Sequence, residues 1–388
     1  MQKKIVRITT VPEALRVLLR GQLKFMSAHF EVIGVAADEP LLAKVKEEQQ
    51  IRTEGINMTR KITPFADLKS IWSLYKFFKK EKPVIVHTHT PKAGLVGMIA
   101  ARMAGVPVRM HTVAGLPLMV ASGVKRTVLE IVEKVTYAFA SKVYPNSFRQ
   151  AEFIVENRFT GSSKIKVIGN GSSNGIDTTY FDPQLIAEES KTALKKQMQL
   201  TSTDIVLCFV GRIVSDKGIA ELVTSFVEIN KQNSNVKLVL VGPFESHLDP
   251  LDAETMKQIK QHSCIKWIDF QDDVRPYLAI TDVFVFPSYR EGFPNVVMQA
   301  GAMNLPCIVT DINGCNEIIE QGKNGLIIPA QDKVNLKKAI ERLVYDKALR
   351  QNLQSNAREM IVTRYEQKLV WNLILQEYKE MLTAHNVH

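Results

Sequence analysis

Arg212 and Lys217 stand five positions apart in the run GRIVSDKG at 211–218. The apolar run before them ends at Val210 and reads as a buried strand; after them Ile219, Leu222, Val223 and Phe226 mark the buried face of a helix. Two cations beside the unpaired amides of a helix N-terminus can hold a diphosphate, the guanidinium gripping two oxygens and the ammonium acting as a point charge. A second stretch, VFVFPSYREGFPNVVMQAGA at 283–302, repeats the order of strand, loop and helix start. Its loop carries Arg290 and Glu291, Gly292 lets the backbone come close to a ligand, and Pro294 is expected at the first helical position. Helix amides and dipole favour an anion there, whereas the Glu291 carboxylate does not. A ligand with an anionic part and a hydroxyl-rich or cationic part suits both loops, and a nucleotide sugar has both parts.

Positioning such loops calls for parallel sheets. The runs KIVRIT, EVIGVA, PVIVHTH, VRMHTV and KVYPNS in the first half, and DIVLCFVGR, VKLVLVG, IKWIDF, DVFVFPS, PCIVTD and GLIIP in the second, alternate with helical stretches. That alternation predicts an α/β chain with two open parallel sheets covered by helices, and 388 residues suit about two domains. The Gly-, Asn- and Ser-rich segment at 169–183 reads as the linker, with a boundary at 175/176. A last helix from Gln367 aligns Trp371, Ile374, Leu375, Tyr378 and Leu382 on one stripe that must cover something.

Lys and Arg number 50 against 40 Asp and Glu, a net charge of +10, which fits an anionic ligand, a nucleic acid or an anionic membrane surface. Cys208, Cys264, Cys307 and Cys315 lack metal-ligand spacing and read as free thiols of a reducing cytosol. No run approaches the ~18 apolar residues of a membrane span, and the basic start lacks a long apolar core, so a protein neither secreted nor integral is expected.

GRIVSDKG, VGPF at 241–244, PSYREGFPNVVMQA at 287–300, TDINGCNEII at 310–319 and NGLIIP at 324–329 together resemble glycosyltransferase family 4, the retaining transferases of GT-B fold. The likeness is weak in the first half and strong from about Asn174 onward. It implies two Rossmann-like domains facing across a cleft: an N-terminal acceptor-binding domain over 1–175, completed by the helix at 367–388 crossing back, and a nucleotide-sugar-binding domain over 176–366. It also implies a nucleotide sugar, UDP-linked by expectation, as substrate, with no cofactor and no obligatory metal.

Carried over by motif, Arg212 and Lys217 would hold the donor diphosphate, with Gly211 at the close turn and Pro243 in the loop beyond. Glu291 would face the sugar hydroxyls, near the amides of Gly292, Phe293, Asn295 and Val296 around Pro294. The family's second acid falls at 299, where this chain has Gln299, whose amide oxygen can still accept a ribose hydroxyl. Phe270 resembles the place where the base rests, with a core aromatic as the alternative. In the first half TTVPEAL at 9–15 lacks the paired glycines of many relatives, and Ala114 replaces the histidine expected before Gly115. His111 is the substitute that could reach the donor sugar or attacking hydroxyl, against a bland buried histidine. His87 and His89 share a strand face without an identifiable third metal ligand. Thr10, His89 and Lys92 are the acceptor-side residues, the last two as phosphate contacts.

Trp72, Tyr75, Phe77 and Phe78 among Lys76, Lys79, Lys80 and Lys82, with the apolar loop LPLMV at 116–120 followed by Lys125 and Arg126, suit an anionic membrane or, as readily, an ordinary helix with core aromatics. The expectation is a cytoplasmic, peripherally attached hexosyltransferase. It would act on a lipid-diphosphate-linked saccharide or other glycan in capsule, O-antigen or exopolysaccharide synthesis, with no nucleic-acid partner. A nucleotide-sugar epimerase of the same fold and a non-catalytic nucleotide-sugar-binding module are the alternatives.

Overall fold

The computed structural model describes residues 2–59, 63–245 and 249–387, without the side chains of Pro117 and Val120. Its strands are β1 (Lys4–Ile8), β2 (Glu31–Ala36), β3 (Arg52–Gly55), β4 (Ile85–Thr88), β5 (Val108–Val113), β6 (Lys142–Pro145), β7 (Ile205–Val210), β8 (Val236–Val241), β9 (Ile265–Ile268), β10 (Val283–Phe286), β11 (Cys307–Thr310) and β12 (Gly325–Ile328). They form two six-stranded sheets, ordered β3-β2-β1-β4-β5-β6 and β12-β11-β10-β7-β8-β9. Every pairing is parallel. Burial on both faces explains the unbroken apolar runs of β7 and β10. β3 has no such signature in RTEG: it is a largely exposed edge strand, which hydrophobic patterning does not reveal.

The chain divides into two compact units, residues 1–175 with 367–388, and residues 176–366. Both sheets have the doubly wound order, in which strand direction of travel reverses between two central neighbours and ligands bind beyond the carboxyl ends at that switch point. The switch lies between β1 and β4 in the first unit and between β7 and β10 in the second.

In the first unit the helices Pro64–Glu81, Pro91–Ala104 and Gly123–Phe139 cover one sheet face. The helix Gln367–Ala384 buries Val370, Trp371, Ile374, Leu375, Tyr378, Met381 and Leu382 in the other, with Ile5, Leu15 and Leu23. Trp371 Nε1 donates to Asn174 Oδ1 at 2.7 Å, tying this helix to the segment by which the chain leaves the unit. In the second unit Ile176 N donates to the Tyr365 carbonyl at 2.8 Å, so its first and last residues lie side by side. Among the described residues no helix is long and apolar enough to cross a membrane. Cys208, Cys307 and Cys315 are buried free thiols and Cys264 is a half-buried one.

Candidate active site

The two loops that leave the second unit's switch point carry Lys217 and Glu291. After β7 the chain makes a single 3-10 turn, Ser215–Lys217, then enters the helix Ile219–Asn230 through Gly218. Gly218 has φ +69°, and a Cβ there would lie 2.2 Å from the Pro287 carbonyl oxygen, so only glycine lets the two loops touch. Tyr289 N then donates to the Asp216 carbonyl at 2.9 Å. Arg290 holds one Asp216 oxygen through both Nε (3.1 Å) and Nη2 (2.8 Å).

These contacts bring Lys217 Nζ to 2.5 Å from Glu291 Oε1, with the side chains only 12% and 17% exposed. Ser288 Oγ, fully buried, donates to the same Oε1 at 3.0 Å and lies 3.5 Å from Lys217 Nζ. Among the described residues Glu291 Oε2 has no hydrogen-bond partner, and the ammonium has a third proton beyond those directed at Glu291 and Ser288. From below, the ammonium lies 5.9 Å over the Phe286 ring, which stacks on Phe209. Asn313 Nδ2 donates to the carbonyls of Glu291 (3.1 Å) and Gly292, and Thr310 Oγ1 donates to the Ser288 carbonyl at 2.5 Å, so β11 and its loop fix the carboxylate loop from the side. Burial, then the Glu291 charge, pushes the Cys315 thiol well up, leaving it a packing residue.

The helix after this loop is Asn295–Ala302 with Pro294 as its N-cap. Sequence spacing puts Pro294 one position further in; its extended ψ of 109° keeps it outside. Asn295 and Val296 occupy the first turn, where amides lack intrahelical acceptors. Gln299 is half-buried on the same helix, and Gly292 and Phe293 are half-buried before it. Arg212 pairs with Glu245 at 3.0 Å in the open, a contact that a diphosphate can exchange at little cost. Gly211 accompanies it at the end of β7, and Pro243 is half-buried beyond β8. Phe270, beyond β9, is 64% exposed, which removes the core-aromatic alternative. Sequence reasoning missed Ser288, Asp216 and Asn313. Ser288 stands three residues before Glu291 in the same loop, a spacing that signals mutual contact; nothing in the local sequence points to Asn313.

The first unit's switch point joins Thr10 to Thr90: Thr10 N donates to Thr90 Oγ1 at 3.0 Å and the two hydroxyls are 2.7 Å apart. Lys92, in the first turn of the next helix, is held by Asp67 at 2.5 Å. His89 is buried, with Nε2 accepting from Arg7 Nε at 2.9 Å, and Arg7 Nη2 donates to Gln22 Oε1. His87 lies 2.7 Å from Tyr378 Oη and 2.8 Å from Thr112 Oγ1. These are structural engagements, and among the described residues no group of three or more His, Cys, Asp or Glu could hold a metal ion. His111 corrects the expectation of a proton-transfer histidine. It is 2% exposed, hydrogen-bonded to Thr88 Oγ1 at 2.8 Å and packed against Gly94, and burial pushes it down to about 3, so it stays neutral inside the unit.

Parallel doubly wound sheets with a cation and a carboxylate converging at a switch point define a class: two-unit α/β proteins that bind, beyond the strand ends, a ligand with anionic and hydroxyl-rich parts. Comparison with known proteins makes the assignment specific. The model for glycosyl transferases group 1 matches residues 190–360 and the glycosyl transferase 4-like domain matches residues 20–171. The chain is 34% identical over 381 residues to the capsular polysaccharide biosynthesis glycosyltransferase CapM of Staphylococcus aureus, covering 98% of each. It is 33% identical to the UDP-Gal:alpha-D-GlcNAc-diphosphoundecaprenol alpha-1,3-galactosyltransferase of Escherichia coli, over 79% of this chain and 78% of that one. Among solved structures, HepE of Anabaena in complex with UDP superposes with a TM-score of 0.81 at 18% identity, covering 98% of this chain and 100% of that one, a likeness of fold. The chain belongs to the group 1, family 4-like glycosyltransferases and is a glycosyltransferase of surface-polysaccharide synthesis.

Proposed function

We propose that this enzyme transfers a hexose, with retention, from a UDP-sugar to a lipid-diphosphate-linked saccharide. The observation that carries the donor half is the Lys217–Ser288–Glu291 cluster at the switch point, which presents a spare ammonium proton and a spare carboxylate oxygen side by side. Lys217 and Arg212 neutralise charge growing on the departing diphosphate. Glu291 Oε2 accepts hydroxyls of the sugar, and the amides of Asn295 and Val296 meet phosphate or sugar oxygens. Gln299 reaches the ribose and exposed Phe270 stacks on the base. With no nucleophile and base paired at this cluster, the acceptor oxygen attacks on the face the nucleotide leaves, with the leaving phosphate taking its proton. No cofactor or metal is assigned to these steps.

The acceptor half is supported by the relatives: the Escherichia coli enzyme and a Campylobacter jejuni alpha-1,3-N-acetylgalactosaminyltransferase, 28% identical over 83% of this chain, are named for undecaprenol-linked acceptors. The first unit, with Thr10 and Lys92 at its own switch point, takes this role. His89 is 2% exposed and its partner Arg7 0%, so His89 props the unit from within and the phosphate contact falls to Lys92, which must share Asp67 with the acceptor phosphate. Such an acceptor places the enzyme in the cytoplasm, on the inner face of the plasma membrane. The test is protection from thermal unfolding by UDP and UDP-sugars, followed by transfer to a synthetic polyprenyl-diphosphate saccharide. Release of UDP only when acceptor is present is expected; isomerised UDP-sugar without transfer, or binding without consumption, would overturn the reading.

A further inference from the structure

The helix Pro64–Glu81 carries an apolar row on its open side. Phe65, Leu68 and Trp72 are 90%, 64% and 52% exposed. Steps of three and four residues place them on one face, while Ser70, Leu74, Phe77 and Phe78 are buried on the other. The charges around the row have one sign. Asp67 is bound by Lys92 at 2.5 Å, and Glu81 by Lys4 at 2.5 Å and Arg52 at 3.2 Å. Lys69, Lys76, Lys79 and Lys80 are exposed and have no acidic partner among the described residues. Lys76 Nζ lies 5.4 Å over the Trp72 ring, Trp72 stacks on Tyr75 at 5.2 Å, and Lys79 Nζ lies 6.0 Å over Tyr75, so aromatic and basic groups form one surface.

We propose that the first turns of this helix seat Phe65, Leu68 and Trp72 in the interfacial layer of an anionic bilayer, with Lys69, Lys76, Lys79 and Lys80 against the headgroups. This rests on the lipid-linked acceptor reading and deepens it. The site differs from the surface that the sequence suggests. Phe77 and Phe78 belong to the core, and of the loop at 116–120 Leu116 and Leu118 are buried while the side chains of Pro117 and Val120 lie outside the described residues. A second copy of the chain is the poorer occupant, because a two-fold contact through this row brings each lysine set against its own copy. Location adds to the argument. Helices that connect parallel strands begin at the carboxyl edge of the sheet, and Asp67, between Phe65 and Leu68, holds Lys92 in the first turn of the next helix. The row therefore stands next to the switch point given to the acceptor.

Flotation of the full chain with vesicles of phosphatidylcholine containing about 30 mol% phosphatidylglycerol, against phosphatidylcholine alone, tests it. The wild type floats with the anionic vesicles. Phe65→Ser/Leu68→Ser/Trp72→Ser lowers partitioning about tenfold or more, and Lys69→Glu/Lys76→Glu/Lys79→Glu/Lys80→Glu removes the preference for anionic lipid. Both variants keep the first unit's own melting transition and the wild-type far-UV circular dichroism, which shows that the unit carrying the substitutions folds, and both keep the rise in melting temperature with UDP. Flotation of the serine variant equal to wild type overturns the proposal. So does a wild type that ignores vesicles but self-associates, or binds an acidic protein, through the row. Loss of UDP protection with flotation intact would remove the donor reading and leave this one standing.

Discussion

Glu291 and Lys217 are each other's nearest charge, and this shapes how both can act. A carboxylate alone at a helix N-terminus would repel phosphates; paired with Lys217 and held by Ser288 on Oε1, it leaves only Oε2 for the proposed sugar contact. Lys217→Ala removes the cation proposed to neutralise the leaving group and leaves a largely buried carboxylate unpaired, so turnover should fall by about 10³-fold, with UDP protection lost in the same sample. A variant with near-normal turnover would show that the cluster is not the catalytic site. Ser288→Ala keeps both charges and loosens their geometry. Its kcat should fall by about tenfold while the protection by UDP is largely kept, and Ser288→Thr should restore part of it.

At the scale of elements, glycine and burial decide. Gly218→Ala forces a Cβ onto the Pro287 carbonyl at a left-handed φ, so the loops after β7 and β10 must part. The expected outcome is a loss of melting temperature and of UDP binding together, read by calorimetry and titration. On the helix Gly123–Phe139, Glu133 is buried and burial pushes its carboxyl up to about 7. A folded pKa above the unfolded one means that the protonated folded form is favoured, so this residue's contribution is largest below about 4.5 and declines as pH rises toward 7. Buried His87, His89 and His111 work in the opposite sense: burial holds them neutral, so their contribution is full above about 6.5 and is lost as pH falls. Three groups outweigh one, and the first unit should lose stability on acidification below about 6.5. Glu133→Gln should steepen that loss, which melting curves across pH 5 to 8 will read.

For the whole molecule, the distribution of the chain matters most. The first unit is closed by residues 367–388, whose Val370, Trp371, Ile374, Leu375, Tyr378, Met381 and Leu382 share a core with β1 and its neighbours. Deleting them exposes that face and strips His87 of Tyr378 and Asn174 of Trp371. Such a truncation should abolish the first unit's melting transition while a UDP-protected transition of residues 176–366 persists. Loss of both would mean that the second unit does not fold without the first.

The strand runs, the linker and the apolar stripe of the last helix were legible because burial on both faces of a parallel sheet, or on one face of a helix, imposes periodicity on neighbouring residues. The cations of GRIVSDKG and the carboxylate of PSYREGFP were legible because each loop carries its chemistry in consecutive positions. β3 was not, since an exposed edge needs no apolar pattern. Nor was the burial of His111, because the same spacing serves a strand end that opens to solvent and one that a helix closes. Which helix residues face water was likewise undecided: aromatics and lysines alternate along 69–82, and only packing against the helix Pro91–Ala104 turns Phe77 and Phe78 inward and leaves Phe65, Leu68 and Trp72 out. Contacts between residues distant in the chain, such as Gly218 with Pro287 and Asn313 with Gly292, belong to the tertiary structure alone, because they arise where two parallel strands end side by side.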